Sequence, residues 1–153
     1  MPYLILDDGT GLEESQLICA YLDHLDDDPQ FDHPTGPEGW ESRRLESLAR
    51  SMLDGISVWA RELARTQEEQ SPTIIAHEIA RANRMFATWE MHVSHPLMNG
   101  KFNMAQLTLA VALNIAHKMD GLDPGGSSPT LTAWANRMAN RSSLKELLPN
   151  LGR

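Results

Sequence analysis

Residues 2–15, PYLILDDGTGLEES, contain in succession the signals for two strands, a turn and a helix start. Tyr3 to Leu6 is a short apolar run, and the Asp8-Gly9 pair after it is typical of a hairpin turn. The second strand can then run from Thr10 to about Glu13. Ser15 carries a hydroxyl of the kind preferred at a helix N-cap, and the apolar residues after it share one helical face. The start of the chain therefore predicts a β-hairpin followed by one helix.

A proline- and glycine-rich stretch follows this first unit. Residues 26–39 hold three prolines and two glycines, a composition typical of a linker. We therefore predict a small first part over residues 1–27, a linker over residues 28–39 and a second domain over residues 40–153.

The second domain is predicted to be all helical, because its apolar residues recur at a spacing of three to four. Five segments show this pattern: a long one near 40–68, one from Pro72 to before Pro96, one from Asn103, one from Pro129 through Met138, and Ser142 to Leu148. The four tryptophans fall on or beside these stripes and are predicted to belong to the core: Trp40, Trp59, Trp89 and Trp134.

Charge is distributed unevenly along the 153 residues. The net charge is -8, and residues 1–40 hold ten Asp or Glu and no Lys or Arg. Such an acidic segment repels phosphate backbones, and the rest has no dense basic stripe, so we do not expect nucleic acid as a partner. Charges interrupt the longer apolar stretches, so we expect no membrane span. Cys19 is the only cysteine, which suits a reducing compartment and predicts a buried structural thiol.

Taken in order, these pieces resemble the glutathione S-transferase family. Residues 2–10 resemble its cis-proline loop with the third and fourth strands, and residues 12–22 resemble its third helix with the Glu-Ser pair. Trp40 through Ala64 resembles the long fourth helix. Residues 129–134 with 140–143 are similar to the closing "Pro-x-Leu-x-x-Trp … Arg-Pro-Ser" stretch of many bacterial members. The resemblance implies a mostly α fold: a partial thioredoxin-like hairpin and helix, then the all-α bundle of the C-terminal domain.

The resemblance also implies a glutathione-binding site formed by Met1, Pro2, Glu14 and Ser15. The start of a helix presents backbone N–H groups and the positive end of the helix dipole, which suit the γ-glutamyl carboxylate. Ser15 adds a hydroxyl donor, and Glu14 can accept from the α-ammonium group of the ligand. A cis peptide bond before Pro2 would turn residue 1 toward the cysteinyl part of glutathione. Without the family pattern, Ser15 reads as a plain N-cap and Glu14 as a surface acid.

Two departures from the family pattern bear on function. In the family a βαβ unit of roughly 30 residues or more precedes the hairpin and carries the Tyr, Ser or Cys that stabilises the glutathione thiolate. No residue of this sequence takes over that role, so we predict no catalytic residue and expect the chain by itself to be inactive. At Asn103 the family shows Ser or Thr followed three residues later by Asp; here Asn103 caps the helix and Gln106 can reach back as a neutral partner.

Two hypotheses on function follow. The first is a cytoplasmic, homodimeric glutathione transferase that joins glutathione, as co-substrate, to an apolar electrophile once the missing unit is present. The second is a non-catalytic helical binding or interaction module of the same descent; a decayed fragment without a role is a weaker third. Whether the chain is an enzyme is left open at this point.

No metal is predicted as a cofactor. His92 and His95 are spaced as on one helix face, with His77 upstream, but no third ligand is evident and Pro96 follows directly. The run at residues 26–28 lacks the alternating ligands and the glycine of a calcium loop. Both features are interpreted as surface or linker residues.

Overall fold

The computed structural model describes residues 2–119 and 128–151. Its first element is a hairpin of β1 (Tyr3–Ile5) and β2 (Gly11–Glu13), which pair antiparallel. Gly9 in the turn has φ +86°, a conformation that glycine adopts without steric cost. Asp8 Oδ1 accepts a hydrogen bond from Thr10 N at 2.8 Å, and this bond lowers the pKa of Asp8. Within the described residues the sheet has these two strands alone.

The rest of the described chain is helical, as the apolar spacing predicts. The helices are α1 (Ser15–Asp23), α2 (Pro37–Leu63), α3 (Pro72–His92), α4 (Met104–Ala116), α5 (Pro129–Ala139) and α6 (Ser142–Lys145), with a 3₁₀ turn at Pro96–Met98. The order strand, turn, strand, helix and the mostly α fold are therefore confirmed.

The long helix α2 differs from its predicted limits. It begins at Pro37 rather than near residue 40, so the last three residues of the predicted linker are helical. Pro is favoured at the first helical position because its missing N–H would have no partner there. Gly36 before it has φ +73°, which a residue with a side chain rarely adopts. The helix ends at Leu63, before the predicted end near residue 68.

The core lies between α2, α3, α4 and α5 and contains three of the four tryptophans. Trp59, Trp89 and Trp134 are each 1% exposed or less, but Trp40 is 74% exposed. The prediction that Trp40 belongs to the core is wrong. It lies in the first turn of α2, outside the packed face, and its ring is covered in part by the guanidinium of Arg43 at 5.7 Å.

The start of α4 confirms the Asn103 cap and corrects the role of Gln106. Asn103 Oδ1 accepts from Gln106 N at 3.0 Å. The Gln106 amide does not reach back to Asn103; its Nε2 donates to the carbonyls of Leu97 at 2.9 Å and Lys101 at 3.2 Å. An amide has N–H donors that an aspartate lacks, so Gln106 can bind these two carbonyls where an aspartate could not.

The hairpin and α1 contribute no residue to the buried core. No residue of α1 is buried, so Cys19 is half-buried and the prediction of a buried thiol is wrong. Apolar side chains of β1, of α1 and of the residues just after it are exposed to solvent: Tyr3, Ile5, Leu17, Tyr21, Leu22 and Leu25. The connection to α2 is ordered by Asp23, whose carboxylate accepts from the backbone N–H groups of Gln30 at 3.1 Å and Phe31 at 2.8 Å. Phe31 then contacts the Phe102 ring edge-on, with 5.9 Å between centroids.

None of the helices in the part of the chain described here is long and apolar enough to cross a membrane.

Candidate functional site

The junction between β2 and α1 is held by the side chain of Glu14. Its Oε2 accepts from Gln16 N at 3.1 Å, and its Oε1 accepts from the Ser15 hydroxyl at 3.3 Å. Glu14 is therefore the N-cap and Ser15 is the first helical residue. The prediction that Ser15 is the N-cap is wrong by one position. A glutamate can cap in this way because its longer side chain turns back over its own helix start.

The backbone of Glu14 is strained. Its φ is 76° and its ψ is 124°, outside the regions that non-glycine residues ordinarily occupy. Such conformations cost of order 1–3 kcal/mol and occur preferentially at functional sites. The strain is a signal that the sequence does not carry, because glutamate is not a residue associated with positive φ.

The register of the hairpin brings three of the four predicted site residues together. Tyr3 pairs with Glu13, so Pro2 and Glu14 lie next to each other at the same end of the ladder, and Ser15 follows. Met1, the fourth predicted residue, lies outside the described residues. The expected cis bond joins Met1 to Pro2 and lies outside them as well.

The chemistry at this junction suits a zwitterionic amino-acid group. Ser15 is half-buried and Glu14 is exposed, so a hydroxyl donor, a helix N-terminus and a carboxylate lie within two consecutive residues. The donors favour a ligand carboxylate, and the carboxylate of Glu14 favours a ligand ammonium group.

A second polar cluster, which the sequence analysis missed, lies one residue further along α1. Gln16 of α1 lines a cleft of 350 Å³ together with His33 and, from α2, Arg43, Glu46, Ser47 and Arg50. Glu46 is almost fully buried; its Oε2 lies 3.0 Å from His33 Nε2, and its Oε1 lies 2.7 Å from Arg50 Nη2. The spacing of Glu46 and Arg50 as i and i+4 was the available signal, but nothing local in the sequence places His33 beside them.

His95, one of the histidines singled out from the sequence, has polar neighbours on both ring nitrogens. His95 Nδ1 accepts from Leu97 N at 3.2 Å, and its Nε2 lies 3.6 Å from Glu41 Oε1. The pKa of Glu41 is lowered, in the first place by its hydrogen bonds with Arg44. In the described residues neither His92 nor His95 belongs to a group of three metal-type ligands.

One group of metal-type ligands occurs in the described part of the chain: Asp23, His24 and Asp32. The carboxylate of Asp23 already accepts two backbone hydrogen bonds in the loop after α1. His24 Nδ1 contacts the Ala20 carbonyl at 2.9 Å, and this bond raises the pKa of His24. His24 Nε2 lies 3.5 Å from Asp32 Oδ1, so contacts within the loop account for all three side chains.

Comparison with known proteins identifies sequences and structures to which this chain is similar. The chain is 29% identical, over 156 residues, to glutathione S-transferase 2 of Saccharomyces cerevisiae, a match that covers 97% of the chain. The crystal structure of Gtt2 from the same yeast superposes with a TM-score of 0.81 at 28% identity. The chain is similar to glutathione S-transferases over nearly its whole length. No family model matches the sequence.

Bacterial structures give the same result. A glutathione transferase family member from Pseudomonas fluorescens Pf-5, with bound S-(propanoic acid)-glutathione, superposes with a TM-score of 0.84 at 26% identity; the match covers 97% of this chain and 76% of that one. A second structure from that strain, with bound glutathione, gives a TM-score of 0.82 at 26% identity, with 95% and 72% covered. The glutathione transferase fold, a partial thioredoxin-like part before a helical domain, is thus confirmed for this chain.

The chain is shorter than its relatives. It spans 66% of the length of the yeast transferase and 74% of the chain in the yeast crystal structure.

Proposed function

We propose that this glutathione transferase-like chain binds glutathione at Pro2, Glu14 and Ser15, with Met1 as a fourth contact. The observation that carries the proposal is the strained Glu14, which caps α1 and accepts a hydrogen bond from the Ser15 hydroxyl. The two Pseudomonas fluorescens relatives hold glutathione and a glutathione conjugate, which supports the same ligand here.

Binding is expected to proceed by an exchange of partners at the helix start. The γ-glutamyl carboxylate takes over the Ser15 hydroxyl from Glu14 Oε1, a contact that at 3.3 Å is the weaker of the two that Glu14 makes. The Glu14 oxygen released in this way accepts the α-ammonium group of the ligand. The Ser15 hydroxyl donates to a carboxylate before and after the exchange, so the net gain is the hydrogen bond between the ligand ammonium group and the Glu14 carboxylate.

The reaction we propose for the complete site is the joining of the glutathione sulfur to an apolar electrophile. That reaction needs the thiolate, whose formation depends on a nearby donor or positive charge. None of the residues proposed to bind glutathione supplies such a donor to the sulfur. We therefore propose that the chain by itself binds glutathione with no appreciable turnover.

Calorimetric titration of the chain with glutathione tests the site. Ser15→Ala and Glu14→Gln should each weaken binding about tenfold, because each removes one charge-assisted hydrogen bond. Glu68→Gln is the matched control, since Glu68 is exposed in the connection after α2. A wild-type chain that fails to bind glutathione would refute the proposal and favour the non-catalytic interaction module. Conjugation by the wild-type chain, followed with a chromogenic thiol acceptor, would refute the proposed lack of turnover.

We also propose that the chain forms a homodimer and resides in the cytoplasm. The exposed apolar side chains of β1 and α1 support association, because single-subunit proteins rarely leave such a group uncovered. The single cysteine is consistent with a reducing compartment. Light scattering after size-exclusion chromatography should give twice the chain mass of 17.1 kDa; the mass of one chain at micromolar concentration would contradict the dimer.

A further inference from the structure

We propose that a small cleft between residues 98–106 and the C-terminal end of α5 binds the phosphate group of a phosphomonoester through Arg137 and Arg141. The proposal goes beyond the glutathione site, because no described residue of the hairpin or of α1 lines this cleft. Its volume is about 170 Å³, several times the roughly 30 Å³ that one water molecule occupies in the liquid. The cleft therefore has room for a tetrahedral oxyanion.

The two segments that build the cleft contain basic residues but no acidic ones. Residues 96–119 and 128–145 hold no Asp or Glu, although the whole chain has a net charge of -8. The charged side chains that line the cleft are those of Arg137 and Arg141, and the other lining residues are neutral. Because no lining residue supplies a carboxylate, the positive potential of the two arginines attracts anions to the cleft.

Arg137 is held in place by a neutral partner. Its Nη2 donates to Asn99 Oδ1 at 2.7 Å. The Asn99 amide in turn donates to the carbonyls of Val93 at 2.8 Å and His95 at 3.1 Å, and these bonds orient its oxygen toward Arg137. An amide oxygen has no formal charge, so the charge of the guanidinium is not compensated. The bond to Asn99 uses one of the five N–H donors of the guanidinium and leaves the others for a ligand.

Arg141 is also placed by a neutral group. Its guanidinium carbon lies 4.2 Å from the centroid of the Phe102 ring. The ring face attracts the cation and fixes its position, but it does not neutralise the charge. In the described part of the chain, neither Arg137 nor Arg141 pairs with a carboxylate. Two oriented and uncompensated guanidinium groups therefore share one cleft.

This pair of groups suits a phosphate better than a carboxylate. A phosphomonoester presents three acceptor oxygens and about -1.5 to -2 charges at pH 7, whereas a carboxylate presents two oxygens and one charge. Each planar guanidinium can donate two parallel N–H bonds to such a group. Part of the cleft wall is formed by the buried residues Met98, Trp134 and Met138, which supply no competing charge. The ligand class that fits is therefore a phosphomonoester.

Calorimetric titration of the intact chain with phenyl phosphate tests the site. Benzoate serves as a carboxylate with the same ring, and inorganic phosphate serves as the phosphate group alone. Titration at pH 8 and constant ionic strength keeps the phosphate doubly charged. Both phosphate ligands should bind at one site per chain, and benzoate should bind at least about tenfold more weakly. Arg137→Gln and Arg141→Gln should each weaken phenyl phosphate about three- to fivefold, as expected for partly screened charges.

Arg84→Gln is the matched control, because Arg84 is an exposed arginine of α3 that does not line the cleft. It removes the same charge from the chain and should leave the affinity for phenyl phosphate unchanged. Arg137 and Arg141 are exposed, so their replacement should leave the fold intact, which circular dichroism checks. If one variant fails to fold, the other still tests the site.

Four outcomes would overturn the proposal. A wild-type chain that binds neither phosphate ligand at millimolar concentration has no such site. An equal loss of affinity in the Arg84 variant would show that net charge, not the cleft, attracts the ligand. Equal affinities for benzoate and phenyl phosphate would contradict the choice of a phosphate. Binding of inorganic phosphate without binding of phenyl phosphate would contradict the choice of a monoester.

Discussion

Glu90 of α3 caps the first turn of α5 from a neighbouring helix. Its Oε2 accepts from Leu131 N at 2.8 Å, and its Oε1 accepts from Thr130 N at 2.9 Å. The start of α5 has no side-chain cap of its own, because the Ser128 hydroxyl makes no such bond. One carboxylate therefore satisfies two N–H groups that a helix start leaves without partners.

Replacing Glu90 by Gln should destabilise the fold. The amide keeps one oxygen and turns an N–H₂ group toward the second backbone donor, so one hydrogen bond is lost and the charge at the helix start disappears. We expect a loss of about 1–2 kcal/mol in the free energy of unfolding at pH 7, as for the loss of a helix cap. Thermal or urea unfolding followed by circular dichroism measures it, with Glu68→Gln as control.

The same variant should show a defined pH dependence. Burial raises the pKa of Glu90, but the hydrogen bonds from Thr130 and Leu131 outweigh it, so the pKa in the fold lies below its usual value. A lowered pKa contributes stability above the ordinary glutamate pKa of about 4.3, and this contribution is lost as the pH falls through the pKa of the folded state. The two proteins should converge in stability toward pH 3. A constant difference from pH 7 to pH 3 would contradict this.

Substitution by phenylalanine should destabilise the protein strongly at Trp134 and hardly at all at Trp40. Trp134 is buried, and its Nε1 donates to the Met98 carbonyl at 2.8 Å, which ties α5 to the 3₁₀ turn. Trp134→Phe leaves a cavity and a buried carbonyl without its donor, so we expect a loss of about 2–4 kcal/mol. Trp40→Phe should change stability by less than about 0.5 kcal/mol, because Trp40 is 74% exposed. Equal effects in urea unfolding would contradict the assignment of Trp134 to the core.

The sequence was sufficient where a structure depends on local signals. The Asp8-Gly9 turn, the Asn103 cap and the proline at the start of α5 are features of a few adjacent residues, and each was predicted at its observed position. The sequence was insufficient where the burial of a side chain depends on its position along a helix. Because α2 begins at Pro37, Trp40 lies in its first turn. The Trp40 side chain is exposed there and does not face the core.

The candidate site shows the same division. The Glu14-Ser15 pair was found because it is contiguous, but which of the two caps the helix depends on a backbone angle that propensity does not encode. The cleft beside it joins Gln16, His33 and Arg50 from separate elements. Contacts between residues so far apart depend on how α1 packs against α2, so no local pattern predicts them.

Gly55 lies where α2 packs closely against α3, and Gly55→Ala should destabilise the protein. A Cβ at this position would stand 2.8 Å from Glu78 Oε2 and 3.0 Å from the Arg81 guanidinium carbon. Glu78 is buried, and Arg81 Nη2 donates to the Ser51 carbonyl at 2.6 Å, so neither side chain moves freely. Alanine gains about 1 kcal/mol in helix propensity. Displacing the two side chains should cost more, leaving a net loss of about 1 kcal/mol.

A double-mutant cycle with Glu78→Ala separates these effects. Without the Glu78 carboxylate, the methyl group at position 55 has room, and the helix-propensity gain of Gly55→Ala should emerge. The coupling between the two changes should be about 1–2 kcal/mol in favour of the double variant, measured by urea unfolding. Additive effects would show that the close approach at Gly55 is not what limits this position.

Replacing Glu14 by alanine or by glycine should have different effects on the stability of the fold. Glu14→Ala keeps the residue at φ 76° and loses the cap on Gln16 N, so it carries both penalties. Glu14→Gly also loses the side chain, but glycine adopts a positive φ without strain and is a tolerable N-cap residue. We therefore expect the glycine variant to be more stable than the alanine variant by about 1 kcal/mol in urea unfolding.

Both variants should have lost most of their affinity for glutathione, because neither has a carboxylate to accept the ligand's ammonium group. A glycine variant that is at least as stable as wild type but binds about tenfold more weakly would show that the strain at Glu14 is retained for binding. An alanine variant more stable than the glycine variant would show instead that the backbone at residue 14 is not strained in solution. Glu14→Asn is a third variant for comparison, because asparagine tolerates a positive φ and can cap a helix. This variant should retain the stability of the fold but lack the charge that binding requires.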